Sequence, residues 1–163
     1  MTVALLVAVS VVSAAPPAEP KPRKEAASGT VVFVCEHGNV KSLMAREWFN
    51  RLAEERGLLL RAVSRGLTPA NPVPPAIADA LRRDGFDVTG FEARALTPED
   101  LVGAARVVAI GVDTSAVTGR GEVPLDTWEG IPPATQSYEA SRDALRARIQ
   151  ALLATLEAPG ARR

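Results

Sequence analysis

One segment of eight residues carries the groups needed for nucleophilic chemistry on an oxyanion. It reads CEHGNVKS, from Cys35 to Ser42, and it holds the only cysteine and the only histidine of the chain. The apolar run 30–34 precedes it, and a helical pattern follows it. A helix that begins directly after a strand offers unpaired backbone N–H groups and a partial positive charge, which together bind oxyanions.

Each residue type in this segment suits one part of such chemistry. The positive field favours the thiolate of Cys35, which is the nucleophilic form of a cysteine. Lys41 adds a point charge, and the Ser42 hydroxyl is expected to donate a hydrogen bond to the sulfur. Gly38 and Asn39 tolerate the backbone conformations that turn several N–H groups toward one point. We therefore expect a phosphate or arsenate to bind at the loop formed by Glu36, His37, Gly38, Asn39 and Val40.

Simpler interpretations of the same residues stay open at this stage. A lone cysteine is often an inert core thiol, although the position of Cys35 at a strand end favours a sulfur that faces an anion. His37 either contacts the substrate and tunes the thiolate or faces solvent as an ordinary loop residue. Glu36 is expected to point away, because its charge opposes an anion. The loop is not a Walker A motif, since Val40 and Cys35 stand where that motif requires glycines.

The composition narrows the class of protein. The chain has 163 residues, which suits one domain, and its 19 basic and 19 acidic residues cancel. Neutral charge and 4% aromatic content give no indication of a nucleic-acid partner. A single cysteine excludes an internal disulfide and a multi-cysteine metal site. The expected ligand is a phosphorylated substrate or an inorganic oxyanion, with no cofactor and no metal.

The two ends of the chain lie outside the predicted domain, which spans residues 29–157. Residues 1–15 form an apolar run that ends in Ser-Ala-Ala, which predicts a secretory signal and a periplasmic or secreted protein. The run is shorter than the roughly 20 residues of a membrane span. No base precedes it, so a plain hydrophobic tail on a cytoplasmic protein remains the alternative. Residues 16–28 read as a linker rich in proline and charge, and residues 158–163 as a tail.

Strands and helices are predicted to alternate along the domain, which indicates an α/β sandwich with a mainly parallel sheet. In such sheets ligands bind at the carboxyl ends of the strands, where Cys35 is expected to lie. Apolar runs predict strands, and apolar residues at helical spacing predict helices. The predicted strands are 30–34, 58–64, 106–112 and a short one near 123–127, with an extended piece at 91–96; the predicted helices are 41–56, 76–84, a short one from 97, and 138–156.

The loop resembles the signature of the low-molecular-weight protein tyrosine phosphatases and their arsenate reductase relatives, which is Cys, five residues, Arg, Ser. The likeness runs from about Thr30 to Leu156, through the stretch that begins VSRGLTPANPVPP at Val63 and the strand RVVAIGVD at Arg106. It implies a three-layer sandwich with a four-stranded parallel sheet. It also implies metal-free hydrolysis of a phosphomonoester through a thiophosphoryl intermediate on Cys35.

The chain departs from the family pattern at three places, which predicts weakened activity. Lys41 replaces the signature arginine, so one rotatable charge stands where a planar fork would grip two oxygens. Pro132-Pro133 replaces the Asp-Pro pair that supplies the general acid, which leaves Asp126 and Glu129 either as substitutes or as solvated loop acids. No second cysteine exists, so a reductase that relays oxidation through its own disulfides is excluded.

Three functions therefore compete. The first is a cysteine-dependent phosphatase-like hydrolase. The second is a catalytically decayed module that keeps the loop to bind phosphate, sulfate or a phosphorylated ligand. The third is an arsenate reductase that passes its arsenic adduct to an external thiol.

Overall fold

The computed structural model describes residues 28–117 and 123–158. The predicted signal, residues 1–15, lies outside the described residues, as do the linker up to residue 27 and the tail from residue 159. Four strands and four α-helices form the described part of the domain. In chain order they are β1 (Ser28–Cys35), α1 (Lys41–Glu55), β2 (Leu59–Gly66), α2 (Pro75–Arg83), α3 (Pro98–Leu101), β3 (Arg106–Ile110), β4 (Leu125–Trp128) and α4 (Tyr138–Glu157).

The four strands form one parallel sheet in the order β2-β1-β3-β4. The predicted α/β sandwich with a four-stranded parallel sheet is thus confirmed. Strand β1 is central and wholly buried from Val31 to Cys35, because both of its faces are covered by other elements. This explains why its sequence shows no polar alternation. Strand β1 ends at Cys35, which therefore lies at the carboxyl end of a central strand.

Two apolar clusters separate the layers of the sandwich. Helices α1, α2 and α4 cover one face of the sheet, where Phe33, Phe49 and Leu145 are fully buried. The short helix α3 and the segment that follows β3 cover the other face, through Leu101 and Val117. The odd and even residues of β1 are divided between the two clusters. Alternation along a strand that is buried on both sides produces this division.

Helix α3 begins as its sequence predicts. The Thr97 hydroxyl accepts a hydrogen bond from the Asp100 backbone N–H, while the Asp100 carboxylate accepts one from the Thr97 backbone N–H. Pro98 occupies the first turn, where its missing N–H costs nothing. The reciprocal bonds hold Asp100 in place for an ion pair that bears on the site below.

Strand β2 lies at one edge of the sheet, and its outer side is partly covered from within the same chain. The Asn50 side-chain amide donates to the Ala62 carbonyl at 3.2 Å, and its oxygen accepts from the Ala62 N–H at 2.7 Å. Farther along, the Gly66 N–H donates to the Arg94 carbonyl and the Gly66 carbonyl accepts from Leu96. The predicted extended piece at 91–96 is therefore a single bridge between Gly66 and Ala95 rather than a fifth strand.

No helix in the described part of the chain is long and apolar enough to cross a membrane. Within the same residues, no group of three or more His, Cys, Asp or Glu side chains is arranged to hold a metal ion.

Candidate active site

The carboxyl end of β1 places Cys35 beside the start of α1. Two donors surround its sulfur. The Gly38 backbone N–H donates to Sγ at 3.3 Å, and the Ser42 hydroxyl lies 3.1 Å from Sγ. When the sulfur is a thiolate, the Ser42 hydroxyl must be the donor of that second bond. Cys35 is 6% exposed and Ser42 is fully buried, so both hydrogen bonds are shielded from water.

The loop after Cys35 is fastened to the segment that follows β2. Backbone N–H groups of Leu67, Thr68 and Ala70 donate in turn to the carbonyls of the first three loop residues, at 3.1, 2.8 and 3.1 Å. The accepting residues are Cys35, Glu36 and His37. These three bonds fix the loop by its carbonyls and do not engage its own N–H groups, of which that of Gly38 donates to the sulfur.

Side chains complete this attachment. The Thr68 hydroxyl donates to Glu36 Oε1 at 2.9 Å, and His37 Nδ1–H donates to the Thr68 carbonyl at 3.1 Å. A carbonyl oxygen can only accept, so the proton must lie on Nδ1 of this histidine. The buried Asn39 side chain donates to the Pro72 carbonyl at 3.2 Å. The asparagine therefore anchors the loop rather than facing a ligand with its amide.

Two glycines allow the loop and β2 to touch. A Cβ placed on Gly38 would lie 2.8 Å from the Gly66 nitrogen, and a Cβ on Gly66 would lie 2.8 Å from the His37 carbonyl carbon. Both contacts are with backbone, which cannot yield as a flexible side chain can. Gly38 also has a φ of +72°, a left-handed conformation that L side chains rarely adopt.

The start of α1 leaves positive potential at the loop. Val40 stands at the N-cap and makes no side-chain hydrogen bond to the first turn, so no cap competes with a ligand for those amides. Lys41 is the first helical residue. A Cβ placed on Gly111 would lie 3.8 Å from Lys41 Nζ, so the ammonium reaches over the end of β3. Its charge adds to that of the helix terminus.

A cavity of about 210 Å³ opens above these residues. The loop after β1 forms one wall and contributes every ionisable side chain of the lining: Cys35, Glu36, His37 and Lys41. The opposite wall consists of Ile110 and Gly111 at the end of β3 and of Pro133, Ala134 and Thr135. The predicted residues of the segment 35–41 thus come together at one pocket, apart from Gly38, whose N–H instead donates to the sulfur at its floor.

The two carboxylates predicted as general acids lie elsewhere. Asp126 is paired with Arg106 at 3.3 Å and stands beside Val108 in the sheet, two residues before the point where β3 reaches the pocket. Two residues of strand correspond to about 7 Å. Glu129 is exposed beyond β4, and its carbonyl accepts from Arg148. Neither is among the residues that line the cavity.

Arg65 does not supply the missing guanidinium. It is half-buried, and its Nε and Nη2 bind the two oxygens of Asp100 at 2.8 and 2.6 Å. Burial opposes ionisation of Asp100, but hydrogen bonds from Arg65 and from the Thr97 backbone outweigh it and lower the pKa of that carboxyl. Arg65 therefore serves to hold α3 against β2 and is not an exposed base.

Sequence reasoning missed two parts of the site. Thr68 makes hydrogen bonds to both Glu36 and His37. The only sign of this role in the sequence was the position of a threonine two residues after Gly66, at the end of a strand. The wall formed by residues 133–135 carries no ionisable group, and only the alignment of Pro132-Pro133 with an expected acid pointed to it.

Comparison with known proteins supports the family and the fold. The family model described as low molecular weight phosphotyrosine protein phosphatase matches residues 30–117, which is more than half of the chain. The crystal structure of YfkJ from Bacillus subtilis is similar with a TM-score of 0.70 and 22% identity, over 82% of this chain and 97% of that one. The thioredoxin-dependent arsenate reductase Cg_ArsC1' of Corynebacterium glutamicum gives a TM-score of 0.64 and 18% identity, over 82% and 64%.

A curated sequence relative has a different description. It is a tRNA dimethylallyltransferase from Bradyrhizobium sp., 34% identical over 125 residues, which is 64% of this chain. The chain spans 39% of the length of that protein. The activity in that description belongs to a whole protein of which the matched part is less than half.

Proposed function

Because this chain belongs to the low-molecular-weight phosphotyrosine protein phosphatase family, which includes arsenate reductases among its relatives, we propose that it is a cysteine-dependent phosphomonoester hydrolase. One observation carries the proposal above all. The Cys35 sulfur lies at the floor of a pocket with a backbone N–H and a buried hydroxyl directed at it. An inert core thiol needs no such donors, whereas a thiolate nucleophile does.

The chemistry follows from this arrangement. The Cys35 thiolate attacks phosphorus, a sulfur–phosphorus bond forms, and the bond from phosphorus to the ester oxygen breaks. Loop amides and the Lys41 ammonium hold the negative oxygens of the transferring group. Water then attacks the thiophosphoryl intermediate and releases phosphate, and the Ser42 hydroxyl stabilises the departing sulfur.

The same site suits a second reaction. The pocket is small, and the wall at Pro133–Thr135 presents no carboxylate to an organic leaving group. An inorganic oxyanion such as arsenate fits these limits. Attack of Cys35 on arsenic with loss of hydroxide would give an adduct that an external thiol must resolve, because the chain has no second cysteine.

Turnover of a small aryl phosphate by the natural chain and by Cys35→Ser tests the proposal. We expect phosphate release by the natural chain and a loss of at least about 10³-fold in the variant, because the nucleophile is removed. Phosphate binding, measured by calorimetry on both proteins, serves as the control for the loop. Binding without turnover in either protein would contradict the hydrolase and favour the binding module.

A parallel measurement separates the two reactions. Arsenate is added with a small thiol, and thiol oxidation is followed. Thiol oxidation that depends on Cys35 and exceeds ester hydrolysis by the same preparation would assign the site to arsenate instead.

A further inference from the structure

We propose that His37 is the proton donor to the leaving group, in the role that Asp-Pro fills elsewhere in the family. This role rests on the proposed hydrolase function, because it concerns the same site. Breaking the bond from phosphorus to a poorly stabilised alkoxide requires a proton at that oxygen. Neither Asp126 nor Glu129 reaches the pocket, so the donor must come from the loop wall.

The lining offers four ionisable groups, and three are committed to other tasks. Cys35 is the nucleophile. Lys41 carries the charge that balances the oxyanion, and its ammonium lies over Gly111 at the β3 side. Glu36 Oε1 accepts a hydrogen bond from the Thr68 hydroxyl, so its carboxyl group is held by the segment that follows β2. His37 remains.

The contacts of His37 orient its ring for this task. Its Nδ1–H donates to the Thr68 carbonyl at 3.1 Å, which fixes one nitrogen as a permanent donor and leaves Nε2 as the nitrogen that gains and loses a proton. Thr68 is itself held by a backbone bond to Glu36 at 2.8 Å, so the carbonyl that orients the ring is fixed to the same loop. The residue is exposed to solvent and lines the pocket.

His37 alone can carry out both proton transfers of the reaction. The imidazolium gives its Nε2 proton to the ester oxygen as the bond to phosphorus breaks, and the alcohol leaves with neutral His37 behind it. Neutral Nε2 then takes a proton from the water that attacks the thiophosphoryl intermediate. Phosphate is released, and both the imidazolium and the Cys35 thiolate are restored.

The surrounding charges permit the cycle. The Glu36 carboxylate belongs to the same loop, and the Lys41 ammonium lies toward Gly111 at the β3 side of the pocket. The segment after β2 and the wall at 133–135 face the ring with Thr68, Pro133, Ala134 and Thr135, which are neutral. The charged groups that line the pocket with the ring are therefore the Glu36 carboxylate, the Lys41 ammonium and the Cys35 thiolate.

Leaving-group dependence tests the role of His37 in the full chain. Two substrates are compared: 4-nitrophenyl phosphate, whose leaving group needs little protonation, and phenyl phosphate, whose leaving group needs more. We expect His37→Ala to lower kcat for phenyl phosphate by about 10²-fold and for 4-nitrophenyl phosphate by only about 3-fold. Added imidazole should restore part of the loss for phenyl phosphate. The limb of the pH profile that falls toward high pH should disappear.

Matched variants keep the result interpretable. His37→Gln tests the role a second time with a side chain that can still bond to Thr68, and Glu36→Gln changes the neighbouring charge without removing the imidazole. Glu36→Gln keeps the imidazole and should change the ratio between the two substrates far less than His37→Ala does. Equal losses for both substrates in His37→Ala and His37→Gln, with no rescue by imidazole, would overturn the role of His37 while leaving the hydrolase intact. Absence of Cys35-dependent turnover in the natural chain would overturn both.

Discussion

The two walls of the pocket differ in how they are built. On the β2 side, three carbonyls and three side chains of the loop 35–41 are hydrogen-bonded to the segment that follows β2. On the β3 side, Gly111 and residues 133–135 contribute shape and no ionisable group. The first, which we call the tight wall, holds Cys35 and the amides that we propose bind the anion. The second, which we call the plain wall, stands where the family pattern has the general acid.

This difference separates two requirements of phosphoryl transfer. Binding and attack depend on loop geometry, and in this chain backbone hydrogen bonds to the segment after β2 fix the first three residues of the loop. Protonation of the leaving group depends on one side chain, which can be supplied from a different element if the pocket is small. The variants below test the groups on which binding and attack are proposed to depend, in order of the expected effect on turnover.

Lys41 is the one lining cation that reaches toward the plain wall, and its removal should have the largest effect. Lys41→Met should lower kcat/KM for 4-nitrophenyl phosphate by about 10²–10³-fold, because a charge that stabilises the transition state is lost. Lys41→Arg should raise it about 10-fold if the anion site is intact, since a guanidinium binds two oxygens at once. Steady-state kinetics on the three proteins decide the matter. An unchanged rate in Lys41→Met would show that the loop amides suffice alone.

Gly66 tests the close contact within the tight wall. Gly66→Ala should lower the free energy of unfolding by about 1–3 kcal/mol, because its methyl group would press on the His37 backbone. The displaced loop should also lower turnover about 10-fold. Gly57→Ala serves as the control, because that glycine has a φ of +66° but nothing within 4 Å of the added Cβ. Urea unfolding and kinetics on both variants measure the effects; equal turnover in the two would contradict the contact argument.

The ion pair of Asp100 with Arg65 lies outside the pocket, so its loss should change stability and have little effect on turnover. The pKa of Asp100 is lowered in the folded state, so its pair with Arg65 stabilises the fold above the ordinary aspartate pKa of about 3.9 and is lost as pH falls through the lowered value. Asp100→Asn should therefore cost about 1–2 kcal/mol at pH 7 and much less near pH 2. Urea unfolding of both proteins at the two pH values is the measurement. A difference that does not shrink in acid would show that packing, and not charge, is responsible.

The sequence predicted the fold where the signal was local. The apolar run before Cys35 and the helical spacing after Lys41 placed β1 and α1 to within two residues, since burial on both faces of β1 leaves a continuous apolar pattern. The cap at Thr97 and the strand from Arg106 were predicted for similar reasons and are confirmed.

The sequence could not predict contacts between residues that lie far apart along the chain. The pairing of Arg65 with Asp100 and the anchoring of His37 by Thr68 join residues more than 30 positions apart. The piece at 91–96 looks like a strand, but the Asn71 side chain and a single bridge to Gly66 take its hydrogen bonds. For Asp126 the register of β4 decides the outcome, because a strand that begins at Leu125 places this carboxylate below the pocket.

The amide of Asn50 on the outer side of β2 has a consequence for the behaviour of the protein in concentrated solution. An uncovered edge strand is a template on which a second chain can add a strand of its own, and open-edged sheets tend to aggregate in this way. Here a side chain occupies the outward backbone groups of Ala62, near the middle of that strand. Occupation of these groups by Asn50 should reduce the tendency of the eight-residue strand β2 to pair with a strand of a second molecule.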